Sequence, residues 1–223
     1  MPASSIQHAR DIGQKLRAAR TAAGMSLREL ADKAEVSASM LSQIETGKAF
    51  PSVRSLYSIA AALSLSVDYF FPAAGNGAAP AGESSAALTA SEMREASLTG
   101  AKVEGFDKPA PPSAPIVRAG ARPTIELKGG VVWARLTAAA EKGAEFLEIT
   151  YAPGATSGNN FSHHSGREFG LVLEGELTVE LGFECYTLKA GDSIIFNSST
   201  PHRLSNKSSS PARAIWVVLE SQP

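Results

Sequence analysis

The sequence predicts a multidomain protein, in which an all-α N-terminal bundle is followed by a flexible linker and an all-β C-terminal barrel. Three observations support this prediction. Apolar residues recur at helical spacing over residues 11–71, without sustained strand-like alternation. A segment rich in Ala, Gly, Pro and Ser comes next. Beyond it, short apolar runs are separated by Gly, Pro, Asn and Ser, which is typical of an antiparallel sandwich or barrel.

The shifts in composition set the expected domain boundaries. We place the helical domain at 10–71, the linker at 72–115 and the β domain at 116–220. A chain of 223 residues with 43% hydrophobic residues is long and apolar enough to bury two small cores. The linker contains PAAGNGAAPAGESS and KPAPPSAP, whose composition favours a flexible connection over a packed element.

Capping residues place four helices in the first domain. Ser26, Ser37 and Ser52 each precede a run with helical spacing, and a serine hydroxyl can accept a hydrogen bond from a free amide at a helix start. The predicted helices cover residues 11–23, 27–34, 38–46 and 53–63. The second and third are short and almost contiguous, which is the helix-turn-helix arrangement.

The segment SLRELADKAEVSASMLSQIETGKAFPS resembles the DNA-binding domain of the lambda-repressor-like XRE family of transcriptional regulators. The order of small, apolar and capping residues carries the resemblance over about residues 10–71. Glu35 departs from the family, which usually has Gly in this turn. A left-handed backbone at Glu35 would cost about 1 kcal/mol, which weakens the turn without forbidding it.

The resemblance implies that the third helix enters the major groove of double-stranded DNA. Gln43 can read adenine through its amide, and Met40 can contact a thymine methyl. Flanking basic residues can neutralise phosphates. The expected DNA-binding residues are Arg28, Ser37, Ser39, Met40, Ser42, Gln43, Lys48 and Arg54. The alternative is a helical bundle that binds a protein partner through ordinary solvated polar residues.

Charge and composition limit the remaining classes. The net charge of −1 combines +2 for residues 1–71 with −3 for the rest, a bias too weak to predict nucleic-acid binding without the motif. No apolar run approaches the roughly 18 residues that span a bilayer, and the first ten residues lack the pattern of a signal peptide. The single cysteine, Cys185, excludes an internal disulfide, and we expect it to be buried on a strand. We therefore expect a cytoplasmic protein without a membrane partner.

The β domain contains three of the four histidines of the chain, namely His163, His164 and His202. The segments around them, GNNFSHHSGREFGLVLEG and AGDSIIFNSSTPHRLSN, resemble the two motifs of the cupin family of small jelly-roll β-barrels. The resemblance covers about residues 116–220 and implies a C-terminal cupin domain.

The cupin resemblance also implies a candidate metal site at His164, Glu168 and His202. Two imidazoles and a carboxylate suit iron(II), zinc, nickel or manganese. Metal-binding cupins usually have a further histidine two residues before His164, where this chain has Ser162. His163 is displaced by one residue and is expected at the rim. A polar pocket without metal, whose groups bond a small molecule or one another, is the open alternative.

The interior of a small barrel can hold one small molecule. An inward Arg135 or Glu148 would select a charged or amphipathic ligand, because a buried charge needs a partner. For the aromatic residues the alternative is core packing. The expected ligand-binding residues are Trp133, Arg135, Phe146, Glu148, His164, Glu168, Phe196, His202 and Trp216.

The whole chain resembles XRE regulators that carry a C-terminal cupin sensor domain. The resemblance implies a DNA-binding regulator without enzymatic activity, by default a repressor. We expect a homodimer on a near-palindromic operator with half-sites about 34 Å apart, modulated by a small-molecule effector. The alternative is a mononuclear metal-dependent cupin oxygenase, similar to 2-hydroxypropylphosphonic acid epoxidase, in which a helix-turn-helix-like domain accompanies an iron site of two His and one Glu.

Overall fold

The computed structural model describes residues 3–72 and 116–220. Helices fill the first range and strands dominate the second, so the predicted combination of an all-α and an all-β domain is confirmed. The predicted linker at 72–115 lies outside the described residues, apart from Pro72. Among the described residues, no helix is long and apolar enough to cross a membrane.

Serine caps define the helix starts as the sequence predicted. The side chain of Ser26 accepts from the amide of Glu29, whose carboxylate accepts from the Ser26 amide in return. Ser37 and Ser52 accept from the third residue of their helices in the same way. The first helix begins earlier than predicted. The helices are α1 (Ala3–Ala22), α2 (Leu27–Lys33), α3 (Ala38–Glu45) and α4 (Val53–Ala62), followed by a 3-10 turn at Val67–Phe70.

The bundle core forms where α1, α2 and α3 cross. Leu30, Leu41 and Ile44 are fully buried there. A Cβ on Gly13 would lie 2.2 Å from the carbonyl oxygen of Ile44, so α1 approaches α3 too closely for any larger residue. The turn between α2 and α3 contains Glu35 at φ 53°, so Glu35 adopts the left-handed backbone whose cost the sequence analysis considered.

The described residues of the second domain form nine strands in two sheets. The larger sheet has the order β1-β2-β3-β9-β4-β7 and the smaller has β6-β5-β8, with antiparallel pairing throughout. The strands are β1 (Thr124–Leu127), β2 (Val131–Arg135), β3 (Ala144–Tyr151), β4 (Arg167–Glu174), β5 (Glu176–Leu181), β6 (Glu184–Lys189), β7 (Ser193–Asn197), β8 (His202–Ser205) and β9 (Ala212–Leu219).

Alternation along the strands fills the space between the sheets. On β9 the inward positions are buried, and Trp216 reaches across to Gly170 on β4. A Cβ on Gly170 would lie 2.1 Å from the Trp216 ring, so the absent side chain makes room for the indole. The prediction that Cys185 is buried is wrong, because it lies exposed on β6, one of the two edge strands of the smaller sheet.

The two domains pack against each other, and their buried apolar residues form a single cluster. The amide of Lys128 donates to the carbonyl of Pro51 at 2.9 Å. Arg135 and Asp68 form a buried ion pair across the boundary, with 3.3 Å between Nη1 and Oδ1. The amide of Arg54, on α4, faces the carbonyl of Ser157 at 3.4 Å, so α4 lies against the β domain.

Candidate functional site

The predicted trio of His164, Glu168 and His202 comes together inside the barrel. Glu168 Oε1 lies 3.0 Å from His164 Nε2 and 3.2 Å from His202 Nε2. One ligand atom from each of the three lies within 4.8 Å of the others. We call these three residues the triad.

Three different segments hold the triad. Glu168 is an inward residue of β4, and His202 begins β8. The backbones of His202 and Ser162 exchange two hydrogen bonds of 2.8 Å, and the amide of His164 donates to the carbonyl of Ser198 at 3.0 Å. The loop before β4 is thereby tied to β8, which brings the two histidines to the same carboxylate.

The hydrogen bonds around the triad orient its ligand atoms inward. Nδ1 of His164 lies 3.1 Å from the carbonyl of Ser165, and Nδ1 of His202 lies 2.9 Å from that of Thr200. Because a carbonyl only accepts, Nδ1 carries the proton in each ring, and in a neutral imidazole Nε2 then presents its lone pair. Trp216 donates to Glu168 Oε2 at 2.7 Å.

The electrostatics of the triad favour a positive charge at its centre. Burial alone would raise the pKa of Glu168, but the two neighbouring histidines outweigh it and hold that pKa below its usual value. Burial opposes the charging of His164, yet the contact with Glu168 outweighs it and raises the His164 pKa. Glu168 Oε1 is buried and lacks a hydrogen bond of acceptable geometry from any described residue. A cation or a shared proton would satisfy this oxygen, so the donor set fits a divalent metal.

The cavity beside the triad is small. Its volume of about 30 Å³ accommodates a water-sized species or an ion, not a metabolite. Five of the nine predicted ligand-binding residues line it: Trp133, His164, Glu168, His202 and Trp216. We call this space the inner cavity.

Phe196 lies beside the inner cavity but is not one of its lining residues. It is buried, and its ring packs against those of His202 and Trp216, with centroids 5.2 and 6.3 Å away. Phe196 therefore packs in the core, which was the alternative to ligand binding for the aromatic residues.

The remaining three predicted residues lie elsewhere. Phe146 and Glu148 point outward from β3, because its inward positions belong to the other parity, which includes Glu145. Phe146 is 41% exposed, and Glu148 pairs with Arg122 at 2.8 Å. Arg135 points inward, but its charge is held by Asp68 rather than offered to a ligand.

Tyr57 and Glu145, which close the mouth of the pocket, were not among the residues predicted from the sequence. Tyr57 of α4 stacks on His164, with ring centroids 4.7 Å apart, and its hydroxyl donates to Glu145 at 2.8 Å. Burial raises the pKa of Glu145 to about 7, partly offset by the hydrogen bond from Tyr57. No sequence signal links the two, since 88 residues separate them.

Ser162 and His163 differ in exposure as strand alternation predicts. Ser162, at the position where metal-binding cupins usually have a histidine, is 6% exposed, and its Oγ has no hydrogen-bond partner among the described residues. His163 is exposed and lies at the rim.

The predicted DNA-binding residues lie on α3 and on the segments next to it. Six of them are exposed: Arg28, Ser37, Ser39, Ser42, Gln43 and Lys48. Met40 is half-buried against the core. Arg54 is also half-buried, at the domain boundary, where it lies 3.6 Å from the carboxylate of Glu35. The exposed set forms a polar surface available to a partner.

Comparisons with known proteins match both parts of the chain. A helix-turn-helix family model matches residues 16–70, and a cupin domain model matches residues 147–218. The HTH-type transcriptional regulator PuuR of Escherichia coli is 27% identical over 205 residues, which is 91% of each chain. Its likeness therefore spans both domains.

One solved structure shows a similar architecture over nearly the whole chain. The crystal structure of an HTH_3 family transcriptional regulator from Vibrio cholerae is 22% identical, with a TM-score of 0.61, and the match covers 98% of this chain and 99% of that one. The cupin domain of an XRE family regulator from Enterobacter cloacae is 25% identical over 42% of this chain and 99% of its own, with a TM-score of 0.38.

The order of the two domain matches agrees with the order of the two resemblances seen in the sequence. The Vibrio structure supports the same fold over nearly the full length. The chain therefore combines an N-terminal XRE-type helix-turn-helix domain with a C-terminal cupin domain, and it is homologous to the transcriptional regulator PuuR.

Proposed function

We propose that the cupin domain binds a small-molecule effector at the triad pocket and that binding changes the affinity of the helix-turn-helix domain for its operator. The observation that carries this proposal is the position of α4, whose Tyr57 packs on the triad residue His164. The pocket and the helix-turn-helix domain are therefore in direct contact. A ligand that favours one arrangement of this contact shifts the population of that arrangement. Repression is the default mode of action, acting in the reducing cytoplasm.

We further propose how DNA is read. The exposed residues of α3, with Gln43 at their centre, enter the major groove. Arg28, Lys48 and Arg54 neutralise phosphates beside it. Two copies of the chain bind a near-palindromic operator as a homodimer, with half-sites about 34 Å apart.

A divalent metal is part of the proposed pocket. His164, Glu168 and His202 would hold iron, zinc, nickel or manganese, and the bound ion would supply a Lewis acid for a polar group of the effector. The chain itself contributes the orientation of both imidazoles, through the carbonyls of Ser165 and Thr200. Trp216 fixes the second oxygen of the carboxylate.

We propose that the pocket senses rather than catalyses. The triad alone would also suit an oxygenase, because two imidazoles and a carboxylate can hold iron(II). The relation to PuuR over 91% of the chain favours the regulator. Stoichiometric iron together with substrate-dependent oxygen uptake would contradict this assignment.

Selection of genomic DNA tests the proposed function. Purified protein is mixed with sheared DNA from the source genome near physiological salt, and the bound fragments are sequenced. We expect a few near-palindromic sites to be enriched, and the Gln43→Ala variant to change the preference at one position. Failure to enrich any site would overturn the proposal. Metal analysis of the same preparation, with His202→Ala as the matched control, tests the metal site separately.

A further inference from the structure

The DNA-binding domain completes the wall of the triad pocket. Tyr57 and Val53 of α4 line the inner cavity together with cupin residues. The Tyr57 ring lies nearly parallel to that of His164, at an angle of 11°, and meets Trp133 edge-on at 5.8 Å between centroids. Its hydroxyl is anchored on Glu145. Tyr57 of the helix-turn-helix domain thus contacts three residues of the cupin domain.

A second and larger cavity lies on the outer side of Tyr57. Its volume is about 350 Å³, within the range of small-molecule sites, whereas the inner cavity measures about 30 Å³. Both domains line this outer cavity, with Ala61 on the helical side and His163 on the cupin side. Tyr57, Ser162 and His164 line both cavities, so the Tyr57 ring lies at the partition between them.

Ser162 places a buried polar group at this partition. Its hydroxyl is buried and has no hydrogen-bond partner among the described residues. Ser162 lines both cavities. A buried hydroxyl without a hydrogen-bond partner is unfavourable. A ligand that reaches from the outer cavity to the triad would give it a partner.

We propose that the effector site spans the domain boundary and that Tyr57 is an effector-contacting residue supplied by the DNA-binding domain. This inference rests on the proposed function. The effector occupies the outer cavity and reaches the triad by displacing the Tyr57 ring. Displacement ends the stacking on His164 and the hydrogen bond to Glu145, so effector binding loosens α4 from the cupin domain. The two equilibria are linked. Effector binding weakens the docking of α4 by the same factor by which docking of α4 weakens effector binding.

The same helix carries one of the expected phosphate contacts. Arg54 lies one turn before Tyr57, and its amide faces the carbonyl of Ser157 in the cupin domain at 3.4 Å. A shift of α4 would therefore move this expected contact without an intervening element.

Tryptophan fluorescence of the full chain tests the partition. The chain has two tryptophans, and Trp133 and Trp216 both line the inner cavity. Acrylamide, a small neutral amide, quenches them only when it reaches the cavity. We expect Tyr57→Ala to raise the quenching constant at least about twofold, because a buried indole becomes accessible. Tyr57→Phe keeps the ring and should stay near the wild type.

Tyr69→Ala is the matched control, since it removes the same side chain from the same bundle. In the wild type, the Tyr69 ring packs on Phe70, and its hydroxyl donates to the carbonyl of Lys15. Circular dichroism establishes that each variant is folded. Equal quenching of Tyr57→Ala and wild type would overturn the proposal, as would an equal increase in Tyr69→Ala.

A crosslink tests whether the ring moves with α4. A Cβ on Gly158 would lie 3.6 Å from the Cβ of Arg54, within the range of a disulfide. The variant combines Arg54→Cys and Gly158→Cys with Cys185→Ser. We expect the oxidised form to be quenched about twofold less than the same protein after reduction, because its α4 cannot leave the cupin domain. Equal quenching of the two forms would show that ring and helix are uncoupled.

Both measurements work without DNA, metal or effector. If they fail while genomic sites are enriched, the chain is a regulator whose pocket is independent of Tyr57. If they succeed without enrichment, the partition stands and the proposed function fails.

Discussion

The exposed polar surface of α3 and the triad pocket differ in how their polar groups are satisfied. Ser39, Ser42 and Gln43 are exposed and face solvent. Glu168 and His202 are buried, and each depends on partners from other strands or loops. The first surface is assembled within a single helix, whereas the second exists only when distant segments of the barrel have paired.

This difference separates two consequences of mutation. A side chain on the α3 surface can be removed without leaving a buried group unpaired, so binding changes and stability does not. A buried polar residue of the barrel or of the domain boundary leaves its partner unsatisfied when it is removed. The following predictions test this separation, beginning with the largest expected effect.

Asp68→Ala should cause the largest loss of stability. Arg135 would remain buried at the domain boundary without the carboxylate that now lies 3.3 Å from it. Breaking such a pair on one side costs about 3–5 kcal/mol, measured as the free energy of unfolding in urea. Glu174→Ala is the control, because its pair with Arg213 is exposed and should contribute less than about 1 kcal/mol. Similar losses in both variants would contradict the comparison.

Glu145 should make stability decrease as the pH rises from about 4.5 to 7. Burial raises its folded pKa to about 7, in a setting that includes Tyr57, Asp68, His164 and Glu220. Below this window the carboxyl is protonated in both the folded and unfolded chain. Within it, only the unfolded chain releases the proton, so unfolding is favoured by an amount that approaches about 3 kcal/mol above pH 7.

The Glu145→Gln variant isolates this effect. It retains a hydrogen-bonding side chain that does not titrate, so the difference in unfolding free energy from the wild type should depend on pH across the window. Glu141→Gln, at an exposed position, should leave the pH profile unchanged. A parallel profile in wild type and Glu145→Gln would show that the carboxyl titrates normally.

Gly170→Ala should destabilise the barrel by about 1–3 kcal/mol, since the new methyl group overlaps the indole of Trp216. Chemical denaturation measures the loss, and the displaced indole should also change the fluorescence spectrum. Gly120→Ala is the matched control because no atom lies within 4 Å of a Cβ there. A loss of equal size at both positions would argue against close packing at Gly170.

Gln43→Ala should change the free energy of unfolding by less than about 0.5 kcal/mol, because its side chain is exposed. In operator binding it should lose about 1–3 kcal/mol of discrimination at one base pair. Binding titrations against operators that differ at single positions measure this effect. An unchanged preference would remove Gln43 from the readout and leave phosphate contacts and shape to account for recognition.

The pocket contains residues that could be predicted from the sequence and residues that could not. His164, Glu168 and His202 were predicted together because the cupin motifs set their spacing, and the barrel brings them to one point. Phe146 and Glu148 were assigned to the interior because the parity of β3 is ambiguous in a run where both kinds of position carry apolar and acidic residues. A shift of one residue moves every side chain to the opposite face.

The sequence by itself determined the two domain types and the serine caps of α2, α3 and α4, since each depends on neighbours in the chain. Only the tertiary structure decided that Tyr57 completes the pocket and that Asp68 neutralises Arg135. These contacts join residues at least 67 positions apart, and no local pattern encodes them. They arise from the packing of one domain on the other, where burial makes each polar group depend on a distant partner.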